Sequence, residues 1–161
     1  MTEEQVKALA EHLEKRTGKP VKQVETHGSW LLLTEEIAYK LKKPVDLGFL
    51  DFSSFEKRKF YCEEEIRLNR RLSEEIYIGV LRIQQDAEGN LFLDEEESKE
   101  GEVIDHAVKM KRLDLDLQMD NLLENGEVPK QAVMNLAGRI AAFHEKAEVV
   151  EHDPTIEELE Q

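Results

Sequence analysis

A chain of 161 residues is the size of one domain and can bury an ordinary core. Its 36% charged residues imply a well-solvated surface, and a formal charge of −14 repels nucleic acid and anionic membranes, so neither is an expected partner. A single cysteine, Cys62, excludes an internal disulfide, no apolar run reaches membrane-spanning length, and the charged start Met1-Thr2-Glu3-Glu4 is unlike a secretion signal, so the expected setting is the cytoplasm.

Thr2 and Gln5 make a capping-box pattern, after which Val6, Leu9, Ala10 and Leu13 recur at helical spacing until Gly18 and Pro20 interrupt them. From Ser29 the texture changes: Trp30 to Leu33, a Thr34-Glu35-Glu36 turn and Ile37 to Lys42 predict a β-hairpin. Side chains alternate along a strand, so Ile37, Tyr39 and Leu41 share one face and Ala38, Lys40 and Lys42 the other. Pro44 ends the strand, and a loop through Gly48 and Phe52 leads to Ser53, whose spacing from Glu56 predicts the cap of a helix running to about Leu72.

Tyr77 to Ile83 and Leu91 to Leu93 flank Glu88-Gly89-Asn90 and predict a second hairpin; Asp94 to Glu102 reads as an acidic, solvated loop. Val103 to Met110 is a further strand, Leu117 to Asn125 a short helix stopped by Gly126, and Pro129 opens a last helix striped by Val133, Leu136, Ile140 and Phe143. From Glu148 to Gln161 the chain is acidic and reads as a frayed tail. The order predicts an α+β fold: a five-stranded, mostly antiparallel sheet with one helix inserted after the second strand. The expected division is a lobe over 1–110, a hinge and two helices over 111–147, and a disordered tail over 148–161.

Chemistry concentrates where basic residues outnumber acids, between Ala38 and Arg71. Ala38-Tyr39-Lys40 has the kinase strand form, in which a small residue leaves room for adenine and a lysine on the same face reaches the phosphates. Ala-x-Lys alone is common, and a lysine on a sheet face is ordinarily just solvated. The second half is Glu65, which follows Tyr61 by four residues and Cys62 by three, above Leu68 and Leu72, and so shares a mostly apolar helix stripe. A carboxylate pointing inward needs a cation, and Lys40 can supply one; Lys42, on the same strand face, competes for either role. The bland alternative is an exposed glutamate within Glu63-Glu64-Glu65.

These segments, with Glu25-Thr26-His27-Gly28-Ser29-Trp30, Leu47-Gly48-Phe49-Leu50-Asp51-Phe52, Ala107-Val108-Lys109-Met110-Lys111-Arg112-Leu113 and Leu136 through His144, resemble the aminoglycoside phosphotransferase-like proteins that often carry a fused P-loop ATPase domain. The resemblance covers the chain to about Ala147 and implies a kinase-like amino-terminal lobe followed by a hinge and carboxy-lobe helices. It implies binding of Mg-ATP: Lys40 on the phosphates, Glu65 steadying Lys40, Ala38 under the adenine, and Arg112 and Leu113 after Met110 presenting hinge backbone. His27 to Ser29, with Gly28, would form the turn over the nucleotide. The family's catalytic His-Gly-Asp loop, the asparagine five residues beyond it and the later metal-binding aspartate do not occur in these residues, so this chain alone is expected not to transfer phosphate.

Cys62 on an apolar stripe reads as core filling, and the histidines show no metal-ligand spacing with carboxylates or with Cys62, so no protein metal site is expected. The helix stripe over 129–147 is expected to meet a missing carboxy-terminal lobe or a partner protein, and the competing reading is a noncatalytic kinase-like module that docks a partner protein or a second copy of the chain there.

Overall fold

The computed structural model describes residues 1–95 and 101–149. The expected acidic tail, apart from residues 148 and 149, and the centre of the acidic loop lie outside them. The chain divides into two compact units, Met1–Leu113 and Asp114–Gln161.

The first unit is α+β, with a six-stranded, wholly antiparallel sheet in the order β1-β2-β3-β6-β4-β5. Helix α1 (Glu3–Thr17) begins at the expected capping box of Thr2 and Gln5 and ends at Gly18, whose φ of 67° is the left-handed conformation that glycine adopts at no steric cost. Strands β1 (Lys22–Glu25), β2 (Ser29–Leu33) and β3 (Ile37–Lys42) then form a meander. After helix α2 (Phe55–Ser73), strands β4 (Tyr77–Gln85), β5 (Leu91–Leu93) and β6 (Glu102–Lys111) complete the sheet, β6 inserting between β3 and β4.

Two expectations are corrected. The sheet has six strands rather than five: Lys22-Gln23-Val24-Glu25 pairs with Leu33 to Trp30 as an edge strand. An edge strand mostly in solvent needs little apolar surface, so its sequence carries almost no alternation. The cap of α2 is Ser54, accepting from the Lys57 amide, rather than Ser53, which binds Asp51 instead.

The sheet has two unlike faces. On one, α1 packs Val6, Leu9 and Leu13 onto Leu32, Tyr39, Leu41, Ile83 and Ala107 in a core with little or no exposure. On the other, α2 lays Cys62 and Ile66 over Val108, with Tyr77, Val80 and Met110 half-buried around them. Arg58 of α2 joins the layers: its Nε lies 3.0 Å from both oxygens of the buried Asp105, which also accepts from the α-amino group of Met1 at 2.9 Å. The Arg58 guanidinium donates further to the carbonyls of Phe52 and Ser53, which fixes the loop before α2.

In the second unit a 3-10 turn (Leu115–Leu117) packs with α3 (Met119–Glu124), and α4 (Lys130–Lys146) follows Pro129. The α4 stripe is exposed at Val133, Leu136 and Ile140. Among the described residues, no helix is long and apolar enough to cross a membrane.

Candidate functional site

Directly paired residues on neighbouring strands project to the same side, so the register of β2, β3, β6 and β4 defines rows across the α2 face. One row runs Leu33, Ala38, Met110, Tyr77; the next runs Leu31, Lys40, Val108, Val80. A third begins with Ser29 and Lys42. Ala38 is therefore neighbour to Met110, the last buried-face residue before the segment that follows β6, and Lys40 lies one row further in.

Glu65 reaches these rows from the third turn of α2. Its Oε1 accepts from Lys40 Nζ at 2.9 Å and its Oε2 from Lys42 Nζ at 2.7 Å, so one carboxylate bridges both lysines of the strand. The rivalry between Lys40 and Lys42 for Glu65 resolves into sharing. Their surroundings differ: the Lys42 side chain is 5% exposed and Lys40 31%, with Glu65 between at 13%. Phe52 roofs the Lys42 ammonium at 4.8 Å from its ring centroid and is itself held edge-on by Tyr61.

Burial pushes the Glu65 carboxyl up, but the hydrogen bonds and charges of Lys42 and Lys40 outweigh it, and the group sits below the ordinary carboxylate value. Two ammonium groups against one carboxylate leave this cluster with a surplus positive charge. Cys62, one turn before Glu65, is fully buried, and burial pushes its thiol up to about 12, so it is inert filling and no nucleophile at neutral pH.

The structure thus brings Lys40, Glu65, Ala38 and Met110 to one face. Arg112 and Leu113 follow β6 directly; the Arg112 amide donates to the Glu36 carbonyl at 2.7 Å and its guanidinium to the Thr34 carbonyl, so this amide is engaged within the protein. Among the described residues the Leu113 amide has no hydrogen-bond partner. Gly28 and Ser29 lie at the far end of the face beside Lys42. Their turn is closed by Thr26, accepts from the Lys43 amide through the Gly28 carbonyl, and packs so tightly that a Cβ on Gly28 would stand 3.3 Å from Leu47 and 3.4 Å from Phe52.

Sequence reasoning did not find Phe52 as the roof of Lys42, nor the Arg58–Asp105 pair. A signal for the second existed: Asp105 is a carboxylate in the middle of its strand, between the apolar pairs Val103-Ile104 and Ala107-Val108, and such a charge requires a buried cation. A cavity of about 390 Å³ lies on the opposite face, lined by Arg16, Thr34, Ile37, Tyr39 and Lys109, and does not include the Glu65 cluster.

No family model and no solved structure matches the chain. Three curated proteins do, one from Mycobacterium bovis and two from strains of Mycobacterium tuberculosis, all described as uncharacterized and each 27% identical over 124 residues. The match covers 77% of this chain and 22% of each relative, so the chain spans about a fifth of the length of these curated relatives.

Proposed function

We propose that the Met1–Leu113 unit is a kinase-like amino-terminal lobe, the ATP-binding part of an aminoglycoside phosphotransferase-like small-molecule kinase. The observation that carries this reading is the 2.9 Å ion pair from Lys40 on a central strand to Glu65 on the helix inserted after it, on the sheet face shared with Ala38 and Met110. A pair of this kind fixes the phosphate-binding lysine of kinases.

ATP suits the residues present. Ala38, whose methyl group is small enough to lie against a flat ring, is paired with Met110, and Leu31 and Leu33 of the same rows are half-buried apolar neighbours. Lys40, the exposed member of the cluster, meets the phosphates, and the Leu113 amide serves as hinge donor. Gly28, packed against Leu47 and Phe52, and Ser29, paired with Lys42, border the phosphate end as a fixed edge. Mg²⁺ enters with the nucleotide, bound to its phosphates. The proton-accepting aspartate and the phosphate acceptor belong to a second lobe, so this chain by itself binds Mg-ATP weakly and does not turn it over.

Titrating Mg-ATP into the wild type and Lys40→Ala while following backbone amide resonances tests the reading. Shifts at Lys40, Ala38 and Leu113, lost in the variant, are expected; a wild type that shows none there ends it. A second reading, a noncatalytic module that binds a partner or itself, draws on the exposed α4 stripe of Val133, Leu136 and Ile140.

A further inference from the structure

We propose that the cavity of about 390 Å³ on the α1 face of the sheet binds a free α-amino acid with a cationic side chain, gripped by the Glu95–Lys109 pair. The site lies within the Met1–Leu113 unit, on the sheet face away from Glu65, and does not depend on the nucleotide reading. Its floor follows from register: Tyr39 of β3 and Lys109 of β6 are directly paired, and Ile37, two residues before Tyr39, shares its side of the strand. Tyr39 is 2% exposed, and its hydroxyl accepts from Arg16 Nη2 at 3.0 Å, which holds the end of α1 against the sheet.

The polar groups match a zwitterion. Glu95 Oε2 lies 3.1 Å from Lys109 Nζ, while its Oε1 is buried and meets no hydrogen-bond partner among the described residues. A buried carboxylate oxygen without a donor is costly, so water or a ligand must complete it. The α-ammonium of an amino acid supplies that donor, and the carboxylate one carbon away takes the hydrogens that the Lys109 ammonium does not spend on Glu95. A simple anion would be repelled by Glu95 and a simple cation by Lys109, so the pair selects a head that carries both charges. Beyond it the ligand side chain runs over Ile37 to the solvent end, where Glu35 and Glu36 are both exposed. Lys19 engages Glu35, and Glu36 has no ion-pair partner among the described residues, which leaves this end acidic and suited to a cationic side chain.

The test uses the 161-residue chain with L-arginine as probe, followed by backbone amide resonances. A formal charge of −14 draws any cation to the surface, so the control is agmatine, which is arginine without its carboxylate and more positively charged. Unspecific attraction favours agmatine; the Glu95–Lys109 pair favours arginine. Arginine is expected to give saturable shifts centred on Ile37, Tyr39 and Lys109, and agmatine to bind there roughly tenfold more weakly. Agmatine binding as tightly as arginine, or shifts that spread over the acidic surface without saturating, overturns the proposal. A wild type that shows no shift with arginine leaves water as the partner of Glu95 Oε1 and overturns it too.

Glu95→Gln and Lys109→Met each remove one half of the grip, and each is expected to weaken arginine roughly tenfold. Unchanged affinity in either overturns the assignment. Should both fail to fold, Glu36→Gln at its exposed position decides together with citrulline, which has the shape of arginine and a neutral side chain. In the wild type citrulline is expected to bind about threefold more weakly than arginine, and Glu36→Gln to abolish that difference. Equal binding of the two by the wild type overturns the choice of a cationic side chain. None of these outcomes bears on Lys40 and Glu65, whose response to Mg-ATP is read on the other face of the sheet.

Discussion

Asp105 and Glu65 each hold two cations, and they differ in how much solvent reaches the cluster. Asp105 is enclosed: its side chain is 3% exposed, that of Arg58 8%, and the Met1 residue bearing the α-amino partner is also buried. Glu65 holds two lysines, one as buried as Arg58 and one a third exposed. The first arrangement has no member that can leave, so it can only join elements, tying α2 and Met1, two residues ahead of α1, to β6. The second has a member that water already touches, and such a cation is within reach of a ligand anion. Similar chemistry thus forms a closed cluster at one position and one open to solvent at the other, and burial makes the difference.

The comparison is most easily broken at Asp105. Asp105→Ala leaves the Arg58 guanidinium buried with only two carbonyls, and removing one partner of a buried pair costs about 3–5 kcal/mol. The expected outcome in urea unfolding is an unfolding free energy lowered by that amount, seen as an earlier midpoint with little change in slope. A loss below about 1 kcal/mol, the range of a surface pair, would show that the Asp105 cluster is not the closed structural joint described above.

Glu65 should give a smaller and pH-dependent effect. Its carboxyl titrates below its ordinary value in the folded state, so the folded protein binds fewer protons there than the unfolded chain. That stability is present above the ordinary carboxylate range, near pH 4.3 in the unfolded chain, and is lost as pH falls through the lower folded value. Glu65→Gln lacks this contribution. The gap between the wild-type and variant stability curves should therefore narrow as the solution is acidified from neutrality, and subtracting the curves cancels carboxylates common to both. A constant gap across the acid limb would mean that Glu65 is not held ionised by the lysines.

How far these clusters could be read in advance follows from what fixes each of them. Period-two alternation alone places Lys40 and Lys42 together, and the i, i+3 and i, i+4 relations of Glu65 to Cys62 and Tyr61 turn it inward, so the pairing of strand lysine and helix glutamate was legible. That Glu65 takes both lysines was not, because it depends on the roll of α2 over the sheet and on Phe52, a loop residue whose position is set by Arg58 bonding its carbonyl. Strand β1 was hidden for a different reason: one half-buried position, Val24, among exposed Lys22, Gln23 and Glu25 leaves no pattern, and backbone pairing with β2 supplies the structure. The α1 face was legible throughout, since Val6, Leu9, Ala10 and Leu13 repeat at helical spacing and all four are buried.

A third carboxylate sharpens the comparison from the solvent side. Asp51 accepts from Lys57 and from both the hydroxyl and the amide of Ser53, and these bonds, that of Lys57 first, hold its pKa down to about 2. Here a large shift does not imply a large contribution to folding, because the pair lies at the surface, with the Lys57 side chain half exposed and that of Asp51 29% exposed, and is screened by salt and offset by the entropy of ordering two side chains. Lys57→Ala is accordingly expected to raise the Asp51 pKa part of the way toward its ordinary value, the Ser53 bonds keeping the remainder, while the urea midpoint scarcely moves. Carboxyl NMR titration of Asp51 beside urea unfolding of the same variant checks both halves. An unmoved Asp51 would remove Lys57 as the cause of the shift, and a stability loss approaching that of Asp105→Ala would remove burial as the variable that ranks these three carboxylates.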